Sequence, residues 1–87
     1  MATPTQTSAN AQCPCCGYRT LAKRNDDDIC PVCFWHDDGQ DDPHADEVWG
    51  GPNKDLSLSM ARENFRAFGA FHRDVLQYVR PPKPEEQ

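Results

Sequence analysis

The chain has 87 residues, 14 acidic against 9 basic side chains, and a net charge of −5. That length allows one small domain with a limited core, and the negative balance works against any partner that presents a phosphate backbone. No stretch approaches the ~20 apolar residues of a membrane span, so the expectation is a monomeric cytoplasmic protein with neither nucleic-acid nor membrane partners.

The N-terminal stretch, residues 1–12, is mostly Thr, Ser, Ala, Gln and Asn without apolar periodicity, and residues 81–87 are dominated by Pro and Glu. Both read as flexible tails, which leaves a single domain over 13–80. A domain this small needs a staple beyond its own core.

The cysteines supply one. Five of them crowd into positions 13–33, an odd number, and the N-terminus has no apolar run of the kind that opens a signal peptide. Four of the five, Cys13, Cys16, Cys30 and Cys33, form two Cys-x-x-Cys hooks separated by thirteen residues. A two-residue spacer lets both thiolates of one hook reach a single ion, and two hooks supply the four sulfurs of a structural Zn²⁺ site. The cofactor expected is therefore one zinc ion per chain, with a single iron ranked behind it because a Cys₄ set offers both metals the same geometry. Gly17 follows the first hook and can adopt the left-handed conformation, whereas Phe34 stands at the equivalent place in the second. The exit turns of the two hooks are accordingly expected to differ. Four bound thiolates on one Zn²⁺ would carry the net charge to about −7.

Between the hooks, Tyr18–Leu21 has strand propensity, a polar turn covers residues 23–28, and Ile29 follows. This predicts a hairpin with one hook at each base. Phe34 and Trp35 then follow as bulky residues able to cover the metal. Residues 36–53 hold many turn formers and few apolar positions, a long acidic loop with Trp49 as its expected anchor. From Asp26 to Glu47 there are nine acidic residues and no lysine or arginine. These carboxylates either gather a hard cation such as Ca²⁺, dock on Arg62, Arg66 and Arg73, or stay solvated.

Leu58, Ala61, Phe65, Phe68, His72, Val75 and Val79 recur at steps of three and four, the apolar face of an amphipathic helix with Ser57 as N-cap. Gly69 should break it, a short helical turn should follow near 71–77, and Pro81-Pro82 should end it. The fold predicted is a small α+β domain: a two-stranded zinc ribbon, a long acidic loop, and a C-terminal amphipathic helix broken near Gly69 that folds back over the ribbon. Phe34, Trp35, Trp49, Leu58, Ala61, Phe65, Phe68 and Val75 are its expected core.

The stretches "CPCCGYRTL", "ICPVCFWHDDGQDD", "GGPN", "LSLSMARENFRAFGA" and "YVRPP" occur in an order that resembles the bacterial cysteine-rich CPCC domain over roughly residues 13–82. The resemblance implies that the two hooks are the metal ligands, and it implies no reaction. His36 stands where that family commonly has an acidic residue, which argues against His36 as a ligand. The hooks alone also resemble short rubredoxin-like modules.

Cys15 is the cysteine left over, either a reactive thiol or a filler at the variable hook position; negative metal thiolates beside it would blunt its reactivity. No nucleophile, base and orienting acid combination and no phosphate-binding loop is present, so catalysis is not expected. The function expected is a non-catalytic zinc module that presents a surface to an unidentified protein partner. A rubredoxin-like iron electron carrier and a thiol-based redox sensor that releases zinc are the alternatives.

Overall fold

A computed structural model describes residues 10–87. Most of the expected N-terminal tail lies outside them, but its last part is placed: Ala11 pairs with Leu21 in an antiparallel bridge, with N–H to O distances of 2.6 and 3.2 Å. Gln12 also donates from Nε2 to the Gly17 carbonyl at 3.0 Å. Within the described residues, backbone pairing is thus already present at Ala11, ahead of the first cysteine.

The expected two-stranded ribbon does not form. Among the described residues there are only isolated bridges, Ala11 with Leu21, Ile29 with His36 and Val48 with Ser57. Each hook is flanked by its own bridge, and nothing pairs one hook's arm with the other's. The reason lies in the connection between them. Asp28 accepts the Ala22 N–H on its side chain at 2.9 Å, and Asn25 and Asp27 take the left-handed backbone at φ +62° and +58°. A carboxylate that captures backbone N–H groups competes with a strand ladder.

One α-helix, α1, spans Leu58–Phe68. The Ser57 hydroxyl accepts the Met60 N–H at 3.1 Å, and Gly69 ends the helix at φ +90° with its N–H on the Phe65 carbonyl at 2.8 Å. The predicted break is thus a helix terminus, since only glycine takes the left-handed cap without strain. A 3-10 helix then covers Arg73–Tyr78, capped by His72, whose Nδ1 accepts the Asp74 N–H at 3.0 Å. His72 has a boundary role, not a core one.

The C-terminal half is tied to the backbone of both hooks. Phe71 N–H donates to the Cys33 carbonyl at 2.9 Å, Arg80 N–H to the Pro31 carbonyl at 3.2 Å, and Arg62 Nε to the Pro14 carbonyl at 2.8 Å. Residues 81–87 are likewise fastened and do not form the expected tail. Arg80 forks onto both oxygens of Glu86 at 2.9 and 2.8 Å, the Glu86 side chain is 8% exposed, and its carbonyl accepts the Arg19 N–H at 2.7 Å. The Arg80 guanidinium holds the Glu86 carboxyl down at about 2, well below its ordinary value of 4.5.

The core joins the hooks to the helix: Cys13, Leu21, Cys30, Val32, Cys33, Trp35, Leu58, Ala61, Ala70 and Phe71 are almost fully buried. Trp35 meets Phe71 edge to face at a centroid distance of 5.7 Å. Of the expected core, Trp35, Leu58, Ala61 and Val75 are buried, while Phe34, Phe65 and Phe68 are only partly covered. Phe68 carries the Arg73 guanidinium on its face at 4.6 Å, and Phe65 meets Tyr18 edge-on at 6.3 Å. Trp49, expected in the core as the anchor of the acidic loop, is instead exposed. Among the described residues, no helix is long and apolar enough to cross a membrane.

Candidate metal centre

Each hook is built by one repeated turn. In the first, Cys13 N–H donates to the Tyr18 carbonyl at 2.8 Å and Gly17 N–H to the Cys13 carbonyl at 2.9 Å. In the second, Cys30 N–H donates to the Trp35 carbonyl at 3.0 Å and Phe34 N–H to the Cys30 carbonyl at 2.7 Å. The expected difference in exit turns is absent. Gly17 sits at φ +85° and Phe34 at φ +70°, so a bulky residue adopts the conformation that the hook requires of its fifth position. The ring of Phe34 stacks on Tyr78 at 5.3 Å, which offsets part of that strain.

The two turns aim four sulfurs at one point. Cys13 and Cys33 Sγ are 3.6 Å apart, as are Cys16 and Cys30 Sγ, and all four sulfurs lie within 4.8 Å of one another. Four sulfurs at Zn–S distances of ~2.3 Å would be ~3.8 Å apart in a regular tetrahedron, so the residues present fit a single tetrahedral ion. All five cysteines are free thiols. Cys13, Cys30 and Cys33 are buried and Cys16 is partly exposed. The Val32 N–H points at Cys30 Sγ at 3.4 Å and the Thr20 hydroxyl at 2.9 Å, donors of the kind that steady a metal thiolate.

The electrostatics of the cluster ask for a cation. Hydrogen bonds from Cys13, Cys16 and Cys33 converge on Cys30 and push its thiol far down. Cys33 and Cys16 are pushed far up, first by their hydrogen bonding with Cys13 and further by burial. Four thiolates gathered in so small a space need a positive ion between them.

The other candidates fall elsewhere. His36 is outside the sulfur cluster, with Nε2 3.2 Å from Asp27 Oδ1, and His44 is exposed beside Glu47. Cys15 is 7% exposed and lines an open cleft of about 390 Å³ with Arg62, Arg66 and Asp42. Among the described residues, the four hook cysteines are the one group of His, Cys, Asp or Glu placed to share an ion. The acidic carboxylates do not gather around a common point; three of them meet arginines, and the others face outward or accept hydrogen bonds from nearby groups.

Two residues that organise the acidic loop, Arg24 and Asn53, escaped the sequence reading. Arg24, just before the acidic run, puts Nε 3.0 Å from the fully buried carboxylate of Asp37, Nη1 2.9 Å from Asp41, and Nη2 3.3 Å from the Gln40 carbonyl. Arg24 and the Asp42 N–H hold the Asp41 carboxyl below its ordinary value. Of the expected docking arginines, Arg62 does reach Asp42, at 2.6 Å, while Arg66 and Arg73 form no ion pair among the described residues. Asn53, also buried, acts as a substitute strand. Its Oδ1 accepts the His36 N–H at 2.9 Å and its Nδ2 donates to the His36 carbonyl at 2.7 Å. The motif "GGPN" contains that position, but the sequence reads it only as part of the long acidic loop.

These features define a cysteine-rich domain whose paired hooks can hold one metal ion. The sequence model of the cysteine-rich CPCC family matches residues 11–86, and the chain belongs to that family. No curated protein matches the chain.

Proposed function

We propose that the protein is a small non-catalytic module in which Cys13, Cys16, Cys30 and Cys33 bind one zinc ion that closes the fold, and that its role is to present a fixed surface to another protein. The observation that carries this reading is the convergence of four sulfurs with pairwise contacts of 3.6 Å. Four protein thiolates fill a tetrahedral shell and leave no position for substrate, which is the pattern of a structural site. Carbonyls of both hooks also accept hydrogen bonds from the C-terminal half. Fixing the sulfurs therefore fixes the frame on which the helix and the acidic loop rest.

Elemental analysis of natively purified protein tests the metal. One zinc per chain is expected, lost on serine substitution of any of the four hook cysteines and retained in Cys15→Ser. Iron in that position with strong visible absorption would replace the reading with an electron carrier. A metal-free protein with an unchanged melting point would overturn it.

A further inference from the structure

The acidic loop holds two large apolar side chains outward, Val48 at 53% exposed and Trp49 at 44%. They are not outward because the loop is slack. Buried Gln40 donates from Nε2 to the His44 carbonyl at 2.8 Å and the Glu47 carbonyl at 2.5 Å. Ser59 N–H donates to the Ala45 carbonyl at 2.9 Å, and Val48 bridges Ser57. The backbone beneath the exposed pair is thus tied to the body of the protein from two sides.

The indole is fixed as well. Trp49 Nε1 donates to Glu47 Oε1 at 3.0 Å, Glu47 Oε2 lies 3.1 Å from His44 Nδ1, and the imidazole lies 5.8 Å from the indole. Cζ3 of Trp49 is 4.0 Å from where a Cβ on Gly39 would stand, so the ring rests close to that backbone. A large aromatic held in place before binding loses little freedom on binding, and tryptophan is the residue that most often dominates interface energies.

The surrounding charge states what kind of partner fits. Residues 36–49 contain six acidic residues and no lysine or arginine. Arg24 and Arg62 match Asp37, Asp41 and Asp42, which leaves Asp38, Asp46 and Glu47 without a lysine or arginine partner among the described residues. Anionic lipid and nucleic acid are repelled by such a rim.

We propose that Val48 and Trp49 form the docking ledge for a basic segment of a partner protein, a lysine or arginine lying against the Trp49 indole between Asp46 and Glu47 while an apolar neighbour covers Val48. A cation on the face of an indole inside a carboxylate rim gains both the quadrupole attraction and the Coulomb attraction. The inference rests on the reading of the protein as a zinc-closed interaction module, and the experiment separates the two.

The metal-loaded full chain is titrated with a short amidated peptide alternating lysine and leucine, and with a control in which glutamate replaces lysine. The two indole N–H resonances are followed by ¹H–¹⁵N correlation NMR. The Trp49 signal should shift saturably while that of buried Trp35 stays, Trp49→Ala should weaken binding at least about tenfold, Glu47→Gln should weaken it severalfold, and the glutamate peptide should not bind. No saturable shift below ~1 mM, equal binding of both peptides, or an affinity untouched by Trp49→Ala overturns the ledge. A sedimentation mass of two chains that Trp49→Ala returns to one would give the ledge to a second copy and likewise overturn the basic-segment proposal. Zinc content is read on the same samples: zinc without peptide binding defeats this inference alone, and absence of zinc defeats the earlier reading.

Discussion

The two hooks share one hydrogen-bond pattern and meet its hardest position with opposite residues. The fifth residue must lie in the left-handed region, and there the first hook has Gly17 with open space around its Cα, while the second has Phe34 stacked on Tyr78. The left-handed conformation costs a non-glycine residue about 1 to 2 kcal/mol. At Phe34 that cost is tolerated because the turn aims the ring at the C-terminal 3-10 helix. One hook is therefore a turn that the sequence makes easy, and the other is a turn that the tertiary structure holds. The first faces an open cleft; the second is packed under Phe71 and Arg80.

Breaking the proposed metal site is the largest perturbation and should erase the distinction. Zinc binding to structural sites is worth roughly 10 to 16 kcal/mol in apparent free energy. Cys13→Ser and Cys33→Ser should therefore both abolish cooperative unfolding and near-ultraviolet dichroism, although they fall in different hooks. If either variant kept a native melting curve, the two hooks would not be sharing an ion.

Next in size is Arg24→Ala, which leaves the fully buried Asp37 carboxylate without its cation. A loss of about 3 kcal/mol is expected, read as a lowered urea midpoint. An effect near zero would mean that the amides of Asn25 and Gly39 satisfy Asp37 unaided.

Substitutions at the fifth position sharpen the comparison directly. Gly17→Ala should destabilise by about 1 kcal/mol, with no compensating contact within 4 Å. Phe34→Gly should be more stable than Phe34→Ala by about 1 kcal/mol, since both lose the stack but only glycine relieves the backbone. Equal stability of the two Phe34 variants in chemical denaturation would show that the second hook carries no such strain.

A further test concerns the C-terminal clasp beneath the second hook. Glu86 has its folded pKa lowered to about 2 from 4.5, so the stability it lends is fully present above pH 4.5 and is lost as pH falls from there toward 2. Between pH 7 and 4 the Glu86 carboxyl carbon shift should stay flat in the wild type. In Arg80→Ala it should titrate near the ordinary value. A wild-type carboxyl that titrates in that window would release the clasp from its assigned partner.

Much of the architecture was legible from residue spacing. Ser57 and Gly69 bounded α1 because a hydroxyl before an amphipathic stripe and a glycine after it satisfy the free ends of a helix locally. The hooks were legible for the same reason, as the Cys-x-x-Cys spacing is itself a local geometry. What escaped depended on partners distant in sequence. Arg24 was passed over because it stands just outside the acidic run that it organises. Trp49 was placed inside because bulk alone suggests burial, yet the buried amide of Gln40 holds its loop at the rim. The ribbon failed because Asp28 and Asp37 took backbone N–H groups that a hairpin would have used.

By itself, then, the sequence determined a small cysteine-closed domain with one capped helix, since those features rest on contacts between near neighbours. Only the tertiary structure decided that Ala11 pairs with Leu21 across the first hook, that Arg80 and Glu86 bind the Pro31 and Arg19 backbone, and that Trp49 faces outward. Each of these turns on hydrogen bonds and packing between residues far apart in the chain, whose strength depends on burial that no local spacing encodes.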